Sequence, residues 1–125
     1  MIYLDTSALI KRYIWESGSE QIRGMFREKA FIVTSKIAYA EVYAAFTRRR
    51  REGDLTPIQY SRICRLFEHE WPAYLIVEVH DEILHLSRDL IKKYPLRGFD
   101  ALHLACADQR LLEAAKAERF KLLAI

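Results

Sequence analysis

The sequence has few cysteines and no long apolar run, and both features limit the classes of protein to which it can belong. Its 125 residues include only Cys64 and Cys106, which are far apart and form no CxxC motif. A disulfide framework or a thiolate zinc site is therefore not expected, and a reducing cytoplasm is the default location. No apolar run is long enough for a membrane span, and no basic stretch precedes a long apolar segment as in a signal peptide. We therefore expect a cytoplasmic protein with no membrane partner.

The sequence also lacks a strong charge of either sign. Lys and Arg total 20 against 17 Asp and Glu, which gives a net charge of +3. This small excess permits a polyanionic partner but is too weak to identify one. A chain of this length is expected to fold as one domain, which we place at residues 1–125.

Glycine (4 residues) and proline (3 residues) are scarce, so they clearly mark the boundaries between predicted helices and strands. Between them, short apolar runs alternate with helical patterns, and no hairpin signal is present. The patterns predict strands at residues 2–4, 31–33, 75–79 and 122–125, with helices between them that include 37–51 and 111–120. This alternation predicts an α/β fold in which helices cover both faces of a parallel sheet.

The opening stretch MIYLDTSALIKRY places a carboxylate, Asp5, between the first strand and the first helix. Asp is a good helix N-cap, which is the simpler interpretation. The alternative is a ligand-binding residue, because open α/β sheets bind ligands at the carboxyl ends of their strands. Since Thr6 and Ser7 can cap the helix by themselves, we expect Asp5 to be free for a ligand.

Three further acids interrupt apolar patterns. Glu41 shares a helix face with Ile37 and Ala45, and an unpaired buried carboxylate costs several kcal/mol. A position at the edge of the face, or an arginine partner, would explain it without a function. Asp100 and Asp108 each precede or begin an apolar helical pattern, and each could be only a helix cap.

Together, these acids lie at element starts where a parallel α/β chain brings side chains into one cleft. Clustered carboxylates repel each other, and a hard divalent cation such as Mg²⁺ relieves that repulsion. A carboxylate cluster with Mg²⁺ can also activate water against a phosphodiester.

Three motifs stand out: Asp5-Thr-Ser-Ala-Leu, a predicted start of the third helix at Thr34-Ser35 with Glu41 six residues beyond Ser35, and Leu96-Arg-Gly-Phe-Asp-Ala-Leu-His-Leu-Ala. They resemble those of PIN-domain ribonucleases, in particular the VapC-type toxins. The resemblance covers the whole chain. It implies a three-layer α/β/α fold with a parallel central sheet, RNA cleavage dependent on Mg²⁺ or Mn²⁺, and homodimers held by a VapB-like antitoxin.

Carried over residue by residue, the resemblance assigns the catalytic and metal-binding acids to Asp5, Glu41 and Asp100. It assigns Ser7 to a hydroxyl that helps to orient the first acid or a metal-bound water. Asp108 matches the family's fourth acid, but it follows Asp100 after only eight residues. The family places more of a helix, a loop and a strand between these points. Either the domain is shortened near residues 105–106, or residues that belong there are omitted from the sequence; if the chain is continuous, we expect Asp100 and Asp108 on one long helix.

Arginines near the acids are candidate contacts for an RNA backbone. Arg48 lies two helical turns beyond Glu41, and Arg97 lies just before Asp100. For the run Arg48–Arg51, solvated cations at a helix C-terminus are the simpler interpretation. The four histidines show no metal-ligand spacing and are expected to be structural or on the surface; they are His69, His80, His85 and His103.

The sequence therefore predicts a metal-dependent endoribonuclease. A phosphatase of the haloacid-dehalogenase type is excluded, because Ser7 stands where that class needs a second Asp. The remaining alternative is a catalytically impaired scaffold that binds an antitoxin or RNA without cleaving it.

Overall fold

The structure is a computed structural model that describes the backbone of residues 1–114 and 121–123 and the side chains of residues 1–110. The strands are β1 (Ile2–Leu4), β2 (Ile32–Ser35), β3 (Leu75–Val77) and β4 (Lys121–Leu123). The α-helices are α1 (Thr6–Ile10), α2 (Ser19–Arg27), α3 (Ala38–Arg51), α4 (Pro57–Glu70), α5 (Asp81–Lys93) and α6 (Gly98–Ala114), and a 3₁₀ turn follows α4 at Trp71–Ala73.

The four strands form one sheet in the order β3-β2-β1-β4, and each neighbouring pair is parallel. The register pairs Tyr3 with Val33 and Val33 with Leu75, so these side chains share one face. The predicted parallel sheet is therefore confirmed. The parts of the predicted last helix and strand at residues 115–120 and 124–125 lie outside the described residues.

Helices cover both faces of the sheet. On one face, Leu4 and Ile32 pack with buried residues of α1, α2, α3 and α4, including Phe46 and Phe67. On the other face, Tyr3 and Val33 pack against α5 and α6. The result is the predicted three-layer α/β/α arrangement.

Local sequence signals explain several helix ends. Thr56 and Gln59 form a reciprocal capping box with Pro57 at the first helical position of α4. Helix α3 ends in a Schellman motif, in which the N–H of Gly53 bonds to Arg50 O and that of Asp54 to Arg49 O. Gly53 has a φ of 85°, a conformation that glycine adopts without a steric penalty.

Thr34 and Ser35, which we expected to begin the third helix, instead end strand β2 and are fully buried. The Thr34 hydroxyl donates to the Leu4 carbonyl of the neighbouring strand. Ser35 still accepts a hydrogen bond from the N–H of Ile37, so its oxygen does serve the chain leading into α3.

Helix α6 runs without a break through the position where we expected a shortening. Ala105 and Cys106 are both fully buried against the sheet. Asp100 and Asp108 therefore share one helix, as predicted for a continuous chain. Within the described residues, no helix is long and apolar enough to cross a membrane.

Candidate active site

Asp5 follows β1 directly and caps helix α1. Its Oδ1 accepts a hydrogen bond of 2.9 Å from the N–H of Ala8. The expectation that Thr6 and Ser7 would cap this helix was therefore wrong. An aspartate presents two oxygens, however, and this cap uses only Oδ1, so capping and ligand binding are compatible at Asp5.

Glu41 lies in the first turn of α3, with its side chain 23% exposed. Its Oε1 accepts a hydrogen bond of 2.5 Å from the Thr6 hydroxyl, and Nε2 of His103 lies 2.8 Å from the same oxygen. The carboxylate on an apolar face is thus half-buried and paired with a hydroxyl and an imidazole. Among the described residues, Glu41 pairs with Thr6 and His103 and not with the arginine considered from the sequence.

His103 lies one turn beyond Asp100 on α6 and is buried. Both of its ring nitrogens have partners. Nδ1 lies 2.8 Å from the Tyr3 hydroxyl, and Nε2 lies 3.0 Å from the Thr6 hydroxyl as well as near Glu41. This histidine therefore joins β1, α1 and α3 to α6 behind the candidate site.

Asp100 lies in the first turn of α6, and its side chain is 54% exposed. Its Oδ2 forms an ion pair of 3.1 Å with Nε of Arg97. Arg97, which we proposed as a phosphate contact, is thus next to an acid that we proposed as a metal ligand. Its side chain is 90% exposed and free to reorient.

A cleft of about 770 Å³ opens beside these residues, between α1 and α3 on one side and α5 and α6 on the other. Its polar lining includes Glu41, Asp100, Ser7, Arg48 and Arg97. Its apolar lining includes the exposed side chains of Leu84, Ile91 and Phe99. The cleft therefore combines acids, cations and an apolar wall.

Comparison with known proteins agrees with this geometry. The model of the PIN domain family matches residues 2–122. Ribonuclease VapC45 of Mycobacterium tuberculosis (strain CDC 1551 / Oshkosh) is 33% identical over 107 residues, which cover 86% of this chain and 74% of the relative. Ribonuclease VapC49 of Mycobacterium tuberculosis (strain ATCC 25618 / H37Rv) matches with the same identity and coverage.

The chain belongs to the PIN-domain family. The two relatives place it with the VapC-type members, as the sequence motifs indicated. The resemblance found from the sequence is confirmed.

Electrostatics link three of the acids of this PIN domain. Burial raises the pKa of the Asp5 carboxyl, and the negative charges of Asp100 and Glu41 raise it further, against the opposing effects of the Ala8 N–H and His103. Burial also acts to raise the pKa of Glu41, but the hydrogen bonds from His103 and Thr6 outweigh it, and the net shift is downward. Negative charge therefore accumulates around Asp5.

Asp108 lies two turns beyond Asp100 on α6 and is partly buried. Among the side chains that the structure describes, it is not part of the cleft lining. Nor do any three His, Cys, Asp or Glu side chains of the described residues form a ready-made metal-binding group. Asp5 thus interacts electrostatically with Glu41 and Asp100, but the described side chains do not form a closed metal site.

The sequence interpretation missed the part played by Thr6 and His103. One signal was available: His103 follows Asp100 by three residues, and residues at that spacing lie on the same side of a helix. Its partners Tyr3 and Glu41 are 100 and 62 residues away, and no local pattern connects them.

Proposed function

We propose that this PIN-domain protein is a VapC-like endoribonuclease that hydrolyses RNA phosphodiester bonds with the help of Mg²⁺ or Mn²⁺. The observation that carries the proposal is that Glu41 and Asp100 line a cleft together with Arg48 and Arg97, and that both acids interact electrostatically with the carboxyl of Asp5. Acids alone would repel an RNA backbone, so cations in the same cleft are what a nuclease requires.

The donor chemistry fits a divalent cation. The candidates are carboxylate oxygens, which Mg²⁺ and Mn²⁺ prefer, and burial together with the charges of Asp100 and Glu41 raises the pKa of Asp5, which a bound cation would oppose. Asp5, Glu41 and Asp100 would hold the ion, and Asp108 is a further candidate on the same helix. When bound, the ion would supply positive charge to the phosphate and lower the pKa of an attacking water.

The other cleft residues would bind and orient the RNA. Arg48 and Arg97 are exposed cations that can contact phosphates, and the Ser7 hydroxyl can orient an acid or a water. Phe99 is 60% exposed on the cleft wall, where an unpaired base can stack on its ring. By family resemblance, the products would carry 5′-phosphate and 3′-hydroxyl ends.

The same resemblance leads us to propose partners and a location. A VapC-like enzyme would form homodimers, would be inhibited by a VapB-like antitoxin and would act on RNA in the cytoplasm. The names of the two relatives support the ribonuclease assignment.

The test is a cleavage assay on the purified chain after removal of metal with a chelator. We expect an unstructured RNA to remain intact until Mg²⁺ or Mn²⁺ is added, and Asp5→Asn to prevent cleavage under all conditions. Undiminished cleavage by Asp5→Asn would contradict the mechanism. A wild-type chain that binds RNA or antitoxin but cleaves nothing with either metal would instead be the non-catalytic scaffold.

A further inference from the structure

Four polar side chains from four different elements meet behind the candidate site. Tyr3 comes from β1, Thr6 from α1, Glu41 from α3 and His103 from α6. Tyr3 and His103 are 0% and 7% exposed, so water is largely excluded from their contact. Polar groups that meet in such a place must satisfy one another, because a buried polar group without a hydrogen-bond partner destabilises the fold.

The contacts fix where the protons lie. The Thr6 hydroxyl donates its one hydrogen to Oε1 of Glu41, so it can only accept from another group. Nε2 of His103 lies 2.8 Å from the same carboxylate oxygen and 3.0 Å from Thr6 Oγ1, both of which act as acceptors there. Nε2 must therefore carry a hydrogen.

Tyr3 contacts the other ring nitrogen of His103. Its hydroxyl lies 2.8 Å from Nδ1 of His103. In the neutral ring with a hydrogen on Nε2, Nδ1 is an acceptor, and the buried Tyr3 phenol keeps a proton to donate. With Nε2 donating to Glu41 and Nδ1 accepting from Tyr3, both contacts of the ring support the same tautomer.

We infer that His103 is a positioning residue for Glu41, and that Tyr3 positions His103. Thr6 and His103 both contact Oε1 of Glu41. Oε2 accepts no hydrogen bond from the described side chains, and Glu41 lines the cleft, so Oε2 remains available to bind a ligand there. The inference rests on the proposed function, because it states what keeps one oxygen of a candidate metal ligand available. A histidine that merely fills the core would not need a donor at Nε2.

The first experiment determines which ring nitrogens of His103 carry a hydrogen, and it uses the metal-free wild-type protein. Nitrogen-15 NMR of labelled histidine distinguishes the two neutral tautomers and the doubly protonated ring. We expect Nε2 of His103 to carry a hydrogen and Nδ1 to accept from Tyr3, as the contacts indicate. In Tyr3→Phe, which keeps the ring and removes only the hydroxyl, we expect the hydrogen to stay on Nε2, because Glu41 and Thr6 still accept there, and the Nδ1 resonance to shift because it loses its partner. A hydrogen on Nδ1 in the wild type, or an unchanged spectrum in Tyr3→Phe, would overturn the assignment.

The second experiment measures kcat and KM for RNA cleavage. His103→Leu removes the donor, whereas His103→Gln keeps an N–H at a similar reach. We expect kcat of His103→Leu to fall about 10–100-fold, as for other side chains that orient a metal ligand, with a much smaller change in KM. His103→Gln should recover part of the loss. The control is His85→Leu, because His85 is exposed on α5, outside the cleft lining.

The outcomes separate this inference from the proposed function. An inactive wild type would contradict the proposed function, while the NMR spectra would still decide the hydrogen-bond arrangement. An active wild type with equal losses in His103→Leu and His103→Gln would show that the donor is unimportant and would overturn the inference. If His103→Leu fails to fold, His103→Gln and Tyr3→Phe decide the matter: full kcat in both would overturn it.

Discussion

Nε2 of His103 lies 2.8 Å from Oε1 of Glu41 and joins helix α6 to helix α3 across the candidate site. The two helices belong to opposite layers of the fold, since Val42 of α3 packs under one face of the sheet and Ala105 of α6 under the other. This polar contact thus joins the two helical layers.

Asp5 has two separable roles, and a pair of substitutions distinguishes them. Asp5→Asn keeps a good N-cap and removes the charge, so we expect cleavage to be lost and the free energy of unfolding to change little. Asp5→Ala removes both, and we expect an additional destabilisation of about 1 kcal/mol. Urea unfolding and an RNA cleavage assay measure the two effects. Equal stability of the Asn and Ala variants would show that the cap contributes nothing.

This pair of substitutions also shows where sequence reasoning succeeds. The apolar run at residues 2–4 followed by an acid predicted that Asp5 lies at the carboxyl end of a strand, and it does. The same reasoning assigned the cap to Thr6 and Ser7. It failed because Thr6 finds a partner in Glu41, 35 residues away, and a contact of that range leaves no local sequence pattern.

Long-range contacts explain the other differences in the same way. Thr34 looked like a helix start, but its hydroxyl bonds to the Leu4 carbonyl on the next strand. His103 looked structural, and its burial agrees, yet its partners place it behind Glu41. The period of apolar residues predicts which elements form, whereas pairing between elements decides what each polar side chain does.

The cations of the cleft give a prediction about salt. We expect Arg97→Ala to weaken RNA binding in a similar way for all sequences and to reduce the salt dependence of binding by about one phosphate contact. The matched control is Arg88→Ala, because Arg88 is also exposed and paired with a neighbouring acid, Asp89, but lies outside the cleft lining. Fluorescence anisotropy with a labelled RNA, at several salt concentrations, measures both slopes. Identical slopes in the two variants would exclude Arg97 from the RNA-binding surface.

The capping box of α4 predicts a stability effect that is independent of the site. Thr56→Ala leaves the N–H of Gln59 without its side-chain acceptor, and we expect a loss of about 1 kcal/mol in the free energy of unfolding. RNA cleavage should not change, because α4 contributes no residue to the cleft lining. Ser61→Ala, at an exposed position of the same helix, is the control in urea unfolding. A Thr56→Ala variant as stable as this control would contradict the role of the cap.

Glu16 predicts how stability depends on pH away from the candidate site. Its carboxylate bonds to Nζ of Lys11 at 2.9 Å and to a guanidinium nitrogen of Arg49 at 3.1 Å. Burial acts to raise the pKa of Glu16, but these two hydrogen bonds outweigh it, and the pKa in the folded protein lies below its ordinary value of 4.5. The charged form therefore stabilises the fold above that value, and the contribution disappears as the pH falls through the lowered pKa.

Glu16→Gln tests this dependence. At pH 7 we expect the variant to lose about 1–2 kcal/mol, because Lys11 is only 11% exposed and would keep a neutral partner in place of a charged one. As the pH is lowered below 4.5, the difference from the wild type should shrink, since the wild-type carboxyl becomes neutral as well. Urea unfolding at a series of pH values measures it. Glu20→Gln is the control, because the ion pair of Glu20 with Arg27 is exposed on both sides and should contribute little at any pH. The difference in the free energy of unfolding between Glu16→Gln and the wild type could instead stay constant down to low pH. That result would show that the shape of the Glu16 side chain, and not its charge, stabilises the contacts with Lys11 and Arg49.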